Sequence, residues 1–370
     1  MIPLLDLRKQ YHTIKDEIDQ RIAEILESGN FILGPEVKKL EEEMARFCQV
    51  KYAAGVASGT DALELALRAL GVGRGDEVIT TPFTFIATTE AITQVEAKVV
   101  FAEIDLDTYN INLEQIKKKI TPRTKAIIPV HLYGLPCQIK EVIEIARRHK
   151  LYVIEDCAQA IGAEYQGQKV GSFGDVGCFS FFPSKNLGGY GDGGMVVTNN
   201  EKINEQVRML RVHGSKNKYF HQVEGRNSRL DEIQAGILRI KLNHLNAWNE
   251  QRRKNARIYT EAFKAAGLTD KMAVPQEVEG STHVFHLYVV RVPRRDQLLE
   301  FLKSQSIFAA IHYPVPLHLQ EVYRGQGHKE GSFPISEKAA REIISLPFYP
   351  ELTKEEILTV VQAIKEFYDK

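Results

Sequence analysis

Between Gly71 and Asn200 the chain alternates short, β-rich apolar runs with segments of helical spacing, and this alternation constrains the fold more than any other feature. The apolar runs are Glu77–Thr80, Lys98–Phe101, Ala126–Val130, Leu151–Glu155, Val176–Phe181 and Met195–Thr198. Helical stretches lie between them at Thr84–Thr93, Leu113–Lys119 and Gln138–His149. Such an order reads as an α/β domain with a mostly parallel sheet. Upstream, Ile14, Ile18, Ile22 and Leu26 predict a helix over 13–28. A second helix is expected from Pro35 to Cys48, and a third from Ser58 to a glycine stop at Gly71. After Asn200 the pattern changes. A long helical region runs from Asp231 to Ala265, then HVFHLYVVRV reads as a strand, Arg295–Ser304 as a helix, and a closing helix begins at Thr353. The expected division is a large α/β domain over 10–240 and a smaller α+β domain over 241–370, with residues 1–9 packing on the latter.

Composition removes several function classes. Lys plus Arg number 48 and Asp plus Glu number 48, so net charge gives no broad argument for nucleic acid or an anionic membrane. No stretch approaches the ~18 uninterrupted apolar residues of a membrane span. The N-terminus becomes charged within ten residues, unlike a signal peptide. Cys48, Cys137, Cys157 and Cys178 show no metal-type spacing, and two of them lie in apolar runs. That usage favours a reducing cytoplasm.

Three places carry residues suited to chemistry. The strand LYVIED delivers Asp156 at its carboxyl end, with Gln159 just beyond, where open α/β sheets bind ligands. An Asp there also serves commonly as a plain helix cap. Lys185 follows an apolar strand, on a sharp turn that enters a glycine-dense loop. Burial there would depress its pKa and free the amine as a nucleophile, although most lysines are simply solvated. Gly189, Gly191 and Gly194 form a GxGxxG, but this one opens a strand and not the helix a dinucleotide site needs. Ser58-Gly59-Thr60 begin a helix and offer amides and hydroxyls to an anion, or merely cap it. Together, a strand-end acid, a lysine 29 residues later and a phosphate cradle match the needs of pyridoxal phosphate.

Many collinear blocks extend the pattern: IPLLDLRKQY, FILGPEV, ASGTDAL, GDEVITTPFTFIAT, IDLDTYNI, TPRTKAIIPVHLYG, IEDCAQAIGA, SFFPSKNLGGYGDGG, GRNSRLDEIQAGIL and HYPVPLHLQ. Through them the chain resembles the DegT-family sugar aminotransferases along nearly its whole length. The resemblance implies the type I fold of pyridoxal phosphate enzymes, with a mixed, mostly parallel sheet. It implies that Lys185 forms a Schiff base with the cofactor, that Asp156 pairs with the pyridine nitrogen, and that Gln159 meets the phenolic oxygen. Phe85 is expected to stack on the ring, and Gly59, Thr60 and Ser180 to hold the phosphate. Asn227 is expected to reach the phosphate of a neighbouring subunit, which makes the protein a homodimer.

Some relatives carry His at the lysine position and act as dehydratases; Lys185 favours transamination from an amino acid, expected to be L-glutamate. The acceptor implied is a nucleotide-linked keto-sugar, aminated at C3 in preference to C4. A thymidine-diphosphate 3-keto-6-deoxyhexose and a uridine-diphosphate 3-keto-hexuronate are the two candidates. Phe31, Lys218, Tyr219, Arg226, Tyr313 and His318 are the expected substrate contacts, with His312 beside them. No metal site is expected, because His283 and His286 would face opposite sides of a strand. The competing class is a non-catalytic regulatory protein on the same fold, for which no helix-turn-helix or basic recognition helix is visible.

Overall fold

The structure is a computed structural model that describes residues 1–217 and 219–369. Seven strands form the main sheet: β1 (Tyr52–Val56), β2 (Glu77–Thr80), β3 (Lys98–Phe101), β4 (Thr124–Ile127), β5 (Tyr152–Asp156), β6 (Val176–Ser180) and β7 (Gly194–Thr198). Their order is β1-β7-β6-β5-β4-β2-β3. β7 runs antiparallel to both its neighbours, and every other adjacent pair is parallel. The sheet is therefore mixed and mostly parallel, as the alternation predicts. β1 is the strand the sequence hides, because YAAGV is built from small residues and lacks a β-branched run.

The helices are α1 (Leu7–Thr13), α2 (Lys15–Ser28), α3 (Pro35–Phe47), α4 (Gly59–Ala69), α5 (Ala87–Gln94), α6 (Leu113–Lys119), α7 (Ile139–His149), α8 (Glu201–Leu210), α9 (Glu232–Ala265), α10 (Arg295–Ser304), α11 (Pro334–Glu342) and α12 (Lys354–Asp369). Strand periodicity decides which face each covers. Ala54, Val78, Ile154, Val176, Cys178 and Val196 meet Leu63, Leu67, Ile92 and Val207 of α4, α5 and α8. The alternate residues Ala53, Phe179, Met195 and Val197 meet α3 and α9 through Leu40, Met44 and Leu238. Ile79, Ile127 and Val153 on that same side meet α6 and α7 through Ile116, Ile139 and Val142. Both faces are covered, which explains the continuous apolar runs.

A separate core joins the C-terminal half of α9 (Ala256, Tyr259, Phe263) to α10, α12 and the pair β8 (Tyr288–Arg291) and β9 (Ile343–Leu346). Ile2 lies in that core, and its amide donates to the Ser306 carbonyl at 2.9 Å. The expected boundary at 240–241 falls inside α9, which is continuous. Two expectations need correction. Residues 13–28 do not form one helix, since Ile14 (φ −128°, ψ 17°) separates α1 from α2. Only Tyr288–Arg291 of HVFHLYVVRV is strand. Phe285 has φ +45°, and the His283 ring stacks on it at 3.8 Å, so His283 and His286 are not opposed across a strand. Among the described residues no helix is long and apolar enough to cross a membrane.

Candidate active site

Parallel pairing of β5 with β6 sets Asp156 opposite Cys178, two residues before Ser180 ends its strand. The Asp156 carboxylate is buried and held at both oxygens. Thr88 on α5 donates its hydroxyl to Oδ2 at 2.8 Å, and the Ala158 amide donates to Oδ1 at 3.1 Å. Burial raises the pKa of this carboxyl, while Thr88, the Ala158 amide and the Lys185 charge pull it back down. A protonated ring nitrogen set against Asp156 would lower it further and would itself keep its proton.

Beyond β6 the chain turns tightly. Phe181 N–H reaches Gly193 O, Lys185 N–H reaches Phe182 O and Gly189 N–H reaches Phe181 O, all at 2.8 Å. Gly188 is required here, because a Cβ would sit 2.3 Å from the Pro183 carbonyl oxygen. The turn leaves Lys185 half-buried. Burial pushes its amine down to about 8, against an opposing pull from Asp156. About a tenth of the amine is then neutral at pH 7, far more than a free lysine offers and of use to a nucleophile.

The N-terminus of α4 closes the same edge. Ser58 caps it by accepting the Asp61 amide at 3.1 Å, leaving other first-turn amides without partners inside the helix. A Cβ on Gly59 would lie 2.6 Å from the Ser180 Cβ, so only glycine lets this backbone meet that side chain. Amides at a helix N-terminus, with Thr60 and a serine hydroxyl beside them, suit a phosphate dianion. Phe85 is 54% exposed, with its ring 5.9 Å from that of Tyr313. Gln159 is fixed at both ends: its carbonyl accepts the Tyr133 amide at 2.7 Å, and its NH2 donates to the Tyr313 hydroxyl at 3.1 Å. The segment carrying Tyr313 is tied down by Leu317 N–H to Pro82 O at 2.7 Å, and by the Tyr133 hydroxyl donating to His312 O. The residues present thus fit pyridoxal phosphate in donor chemistry, with a glycine-lined cradle, a planar aromatic, an acid and an amine.

Other expected residues lie at varying removes. Asn227 is exposed; its neighbour Ser228 is buried and accepts the Ala57 amide at 3.2 Å, which holds GRNSRL against the entry to α4. Arg226 bonds Glu64 at 2.6 Å and Gln94 at 2.9 Å. Phe31 and Tyr219 are exposed aromatics, and Lys218 lies outside the described residues. His318 does not line a cleft. Its side chain is fully buried, bonded to Glu337 at 3.0 Å and packed on Phe333 at 4.7 Å, so no substrate can touch it in this arrangement. His312 bonds Ser345 at 2.9 Å. Sequence reasoning missed Thr88 and the buried pair Asn186 and His286 (3.3 Å) beside Lys185. A threonine inside a helix gives no signal that its hydroxyl points at a carboxylate.

The one cluster of metal-ligating types among the described residues is His131, Glu155 and Cys157. Its carboxylate already accepts the amides of Gly171, Phe173 and Gly174 and faces His131 at 3.1 Å, which reads as a loop clamp. A cleft of about 1260 Å³ between α9 and residues 274–285 holds none of Lys185, Asp156 or Phe85.

The lowered lysine pKa values make a pH prediction. Lys185 and Lys241 both sit near 8 when folded, against 10.5 when free. On these two lysines the unfolded chain holds more protons between pH 8 and about 10, so their contribution to stability rises with pH across that window. The buried thiols of Cys48, Cys137, Cys157 and Cys178, all pushed up by burial, contribute with the opposite sign. Denaturant titrations of the apoprotein isolate the Lys185 part as a difference: the stability of the wild type minus that of Lys185→Met should rise with pH across this window, and a difference independent of pH would contradict the lowered Lys185 pKa.

Residues 12–365 match the DegT/DnrJ/EryC1/StrS aminotransferase family. A Geobacillus stearothermophilus protein named pleiotropic regulatory protein is 52% identical, over 99% of this chain and 98% of that one. A UDP-N-acetyl-3-dehydro-alpha-D-glucosamine 3-aminotransferase of Acidithiobacillus ferrooxidans is 48% identical, over 98% and 97%. The crystal structure of S. venezuelae DesV in complex with a ketimine intermediate superposes with a TM-score of 0.97 at 44% identity, covering 100% of this chain and 99% of that one. The chain belongs to the DegT/DnrJ/EryC1/StrS aminotransferase family. It is an aminotransferase of the type I fold, the class whose cofactor is pyridoxal phosphate.

Proposed function

We propose that this enzyme transfers an amino group from L-glutamate to C3 of a nucleotide-linked keto-sugar, using Lys185 and Asp156 as its catalytic residues. The observation that carries the site assignment is the pairing of β5 with β6, which puts the buried, Thr88-bonded Asp156 at the same sheet edge as the turn bearing Lys185, near enough for each charge to act on the other. Bound pyridoxal phosphate supplies an electron sink that makes the substrate C–H acidic. Lys185 Nζ then moves the proton, taking it from one carbon and returning it to another. Asp156, oriented by Thr88, holds the ring-nitrogen proton. Bound cofactor would set its phenolic oxygen toward Gln159 and its ring under Phe85, and Gly59, Thr60 and Ser180 would hold the phosphate. Of the substrate contacts first expected, Phe31, Tyr219, Arg226 and Tyr313 remain in the proposal.

Asn227 is exposed in this chain, and Phe31, Ile32, Phe182 and Phe220 are exposed apolar side chains. This supports a homodimer in which Asn227 of the partner subunit completes the phosphate site. Mixing Lys185→Ala with Asn227→Asp, each inactive alone, should then restore activity in hybrid dimers, since one site of each carries neither lesion. An active monomer at dilute concentration would contradict it. The separate C-terminal core supports two domains, 10–240 and 241–370 with residues 1–9, and the four free buried cysteines support the cytoplasm.

The name of the Acidithiobacillus relative supports a 3-keto sugar, and does so with uridine as the nucleoside. The test is to convert the holoenzyme to its amino form and offer a panel of sugar nucleotides. Spectral return with thymidine- or uridine-diphosphate 3-keto sugars is expected; return with 4-keto sugars alone would overturn the C3 assignment. The Geobacillus relative's name gives a regulatory reading some standing. That reading predicts no spectral change on adding glutamate or any other amino acid.

A further inference from the structure

The turn bearing Lys185 is rich in glycine, at positions 188, 189, 191, 193 and 194. Such backbone is loose unless something outside it holds it. Three polar side chains of α9 do so. Gln234 accepts the Tyr190 amide at 2.8 Å. Lys241 donates to the Gly188 carbonyl at 2.6 Å, with its ammonium 4.5 Å from the centre of the Tyr190 ring. Asn249 accepts from the Asn186 side chain at 2.8 Å, and Asn186 also donates to the Val284 carbonyl at 3.0 Å. Seven and eight residues separate the three, about two helical turns each, so all lie along one stripe of α9. They grip alternate residues of the loop, 186, 188 and 190, directly beside Lys185.

The middle contact is costly as a stability device. Lys241 is almost fully buried, and that burial pushes its amine down to about 8, with Glu351 the opposing charge. The hydroxyl of Tyr190 and one oxygen of Glu351 have no protein partner. An apolar side chain of similar length would fill the space with less desolvation, but it would leave the Gly188 carbonyl without this donor. A role in holding the turn accounts for a lysine there better than packing does.

We propose that Lys241 is a positioning residue, which with Gln234 and Asn249 fixes the Lys185 turn from α9. This rests on Lys185 being the lysine that bonds the cofactor. The test compares apoproteins of the wild type, Lys241→Met, Lys241→Gln and Gln234→Leu. Three quantities are read: thermal midpoint, amide hydrogen exchange over 186–190, and the rate at which added pyridoxal phosphate forms its covalent adduct. For Lys241→Met exchange over 186–190 should be about tenfold faster and the adduct rate about tenfold slower, as loss of a charge-assisted hydrogen bond implies, with the midpoint read to confirm that the variant is folded at the temperature of the assay. Lys241→Gln keeps an N–H donor and should recover most of the adduct rate. Gln234→Leu should raise exchange over the same segment, which keeps the proposal testable should Lys241→Met fail to fold. Wild-type exchange and adduct rate in a folded Lys241→Met would overturn the proposal. An adduct mapped away from Lys185 in the wild type would overturn the cofactor assignment instead, and the exchange result would still report on the clamp.

Discussion

Replacing Lys185 with alanine should lower turnover by at least about 10,000-fold, because one amine serves as both nucleophile and proton carrier. Cofactor should still bind, without a covalent link, through the α4 N-terminus, Ser180 and Phe85. A loss of binding as complete as the loss of turnover would mean that the lysine mainly holds the fold. The structure argues against that outcome. The turn at Lys185 is fixed by backbone hydrogen bonds and by Asn186, none of which uses the Lys185 side chain. Turnover and cofactor dissociation, measured on the same preparation, separate the two cases.

Asp156→Ala has the second largest expected effect, a fall of about 100- to 1,000-fold in proton transfer with the protein still folded. The competing role is visible in the structure, since Asp156 Oδ1 accepts the Ala158 amide much as a capping residue would. A cap alone contributes roughly 1 kcal/mol, so a purely capping Asp156 would cost stability and spare turnover. The second bond, from Thr88 to Oδ2, is what a cap does not need. Asp156→Asn keeps the shape and one carbonyl acceptor, so it can keep the Ala158 amide bond while its NH2 donates to the Thr88 hydroxyl in place of accepting from it, but it carries no charge to hold a ring proton. Single-turnover rates for both variants, set beside their denaturation midpoints, decide between the roles.

Much of this was readable in advance where local chemistry and tertiary structure agree. β2, β3, α6 and α10 begin and end where the pattern places them, because their apolar spacing agrees with the core they meet and, for α6, because Asn112 caps the start. Asp156 and Lys185 were legible because one ends a strand and the other lies on the turn that follows the next, and parallel strands bring such ends to one edge. The failures have physical causes. HVFHLYVVRV alternates like a strand, but positive φ at Phe285 turns it so that His286 can meet Asn186. His318 looked like a pocket residue among tyrosines and prolines, yet Glu337 on a helix 19 residues away claims it in the core. Thr88 and Lys241 carry no local signature, because each matters only through what another element places against it.

The most direct test of the account is to reduce the holoenzyme with borohydride and map the modified peptide. Lys241 gives the comparison its force, since burial pushes it down to about 8 just as it does Lys185. The account predicts a yellow protein whose pyridoxyl group is found on Lys185, with Lys241 unmodified. A pyridoxyl group on Lys241 or any other lysine, with Lys185 free, would contradict it.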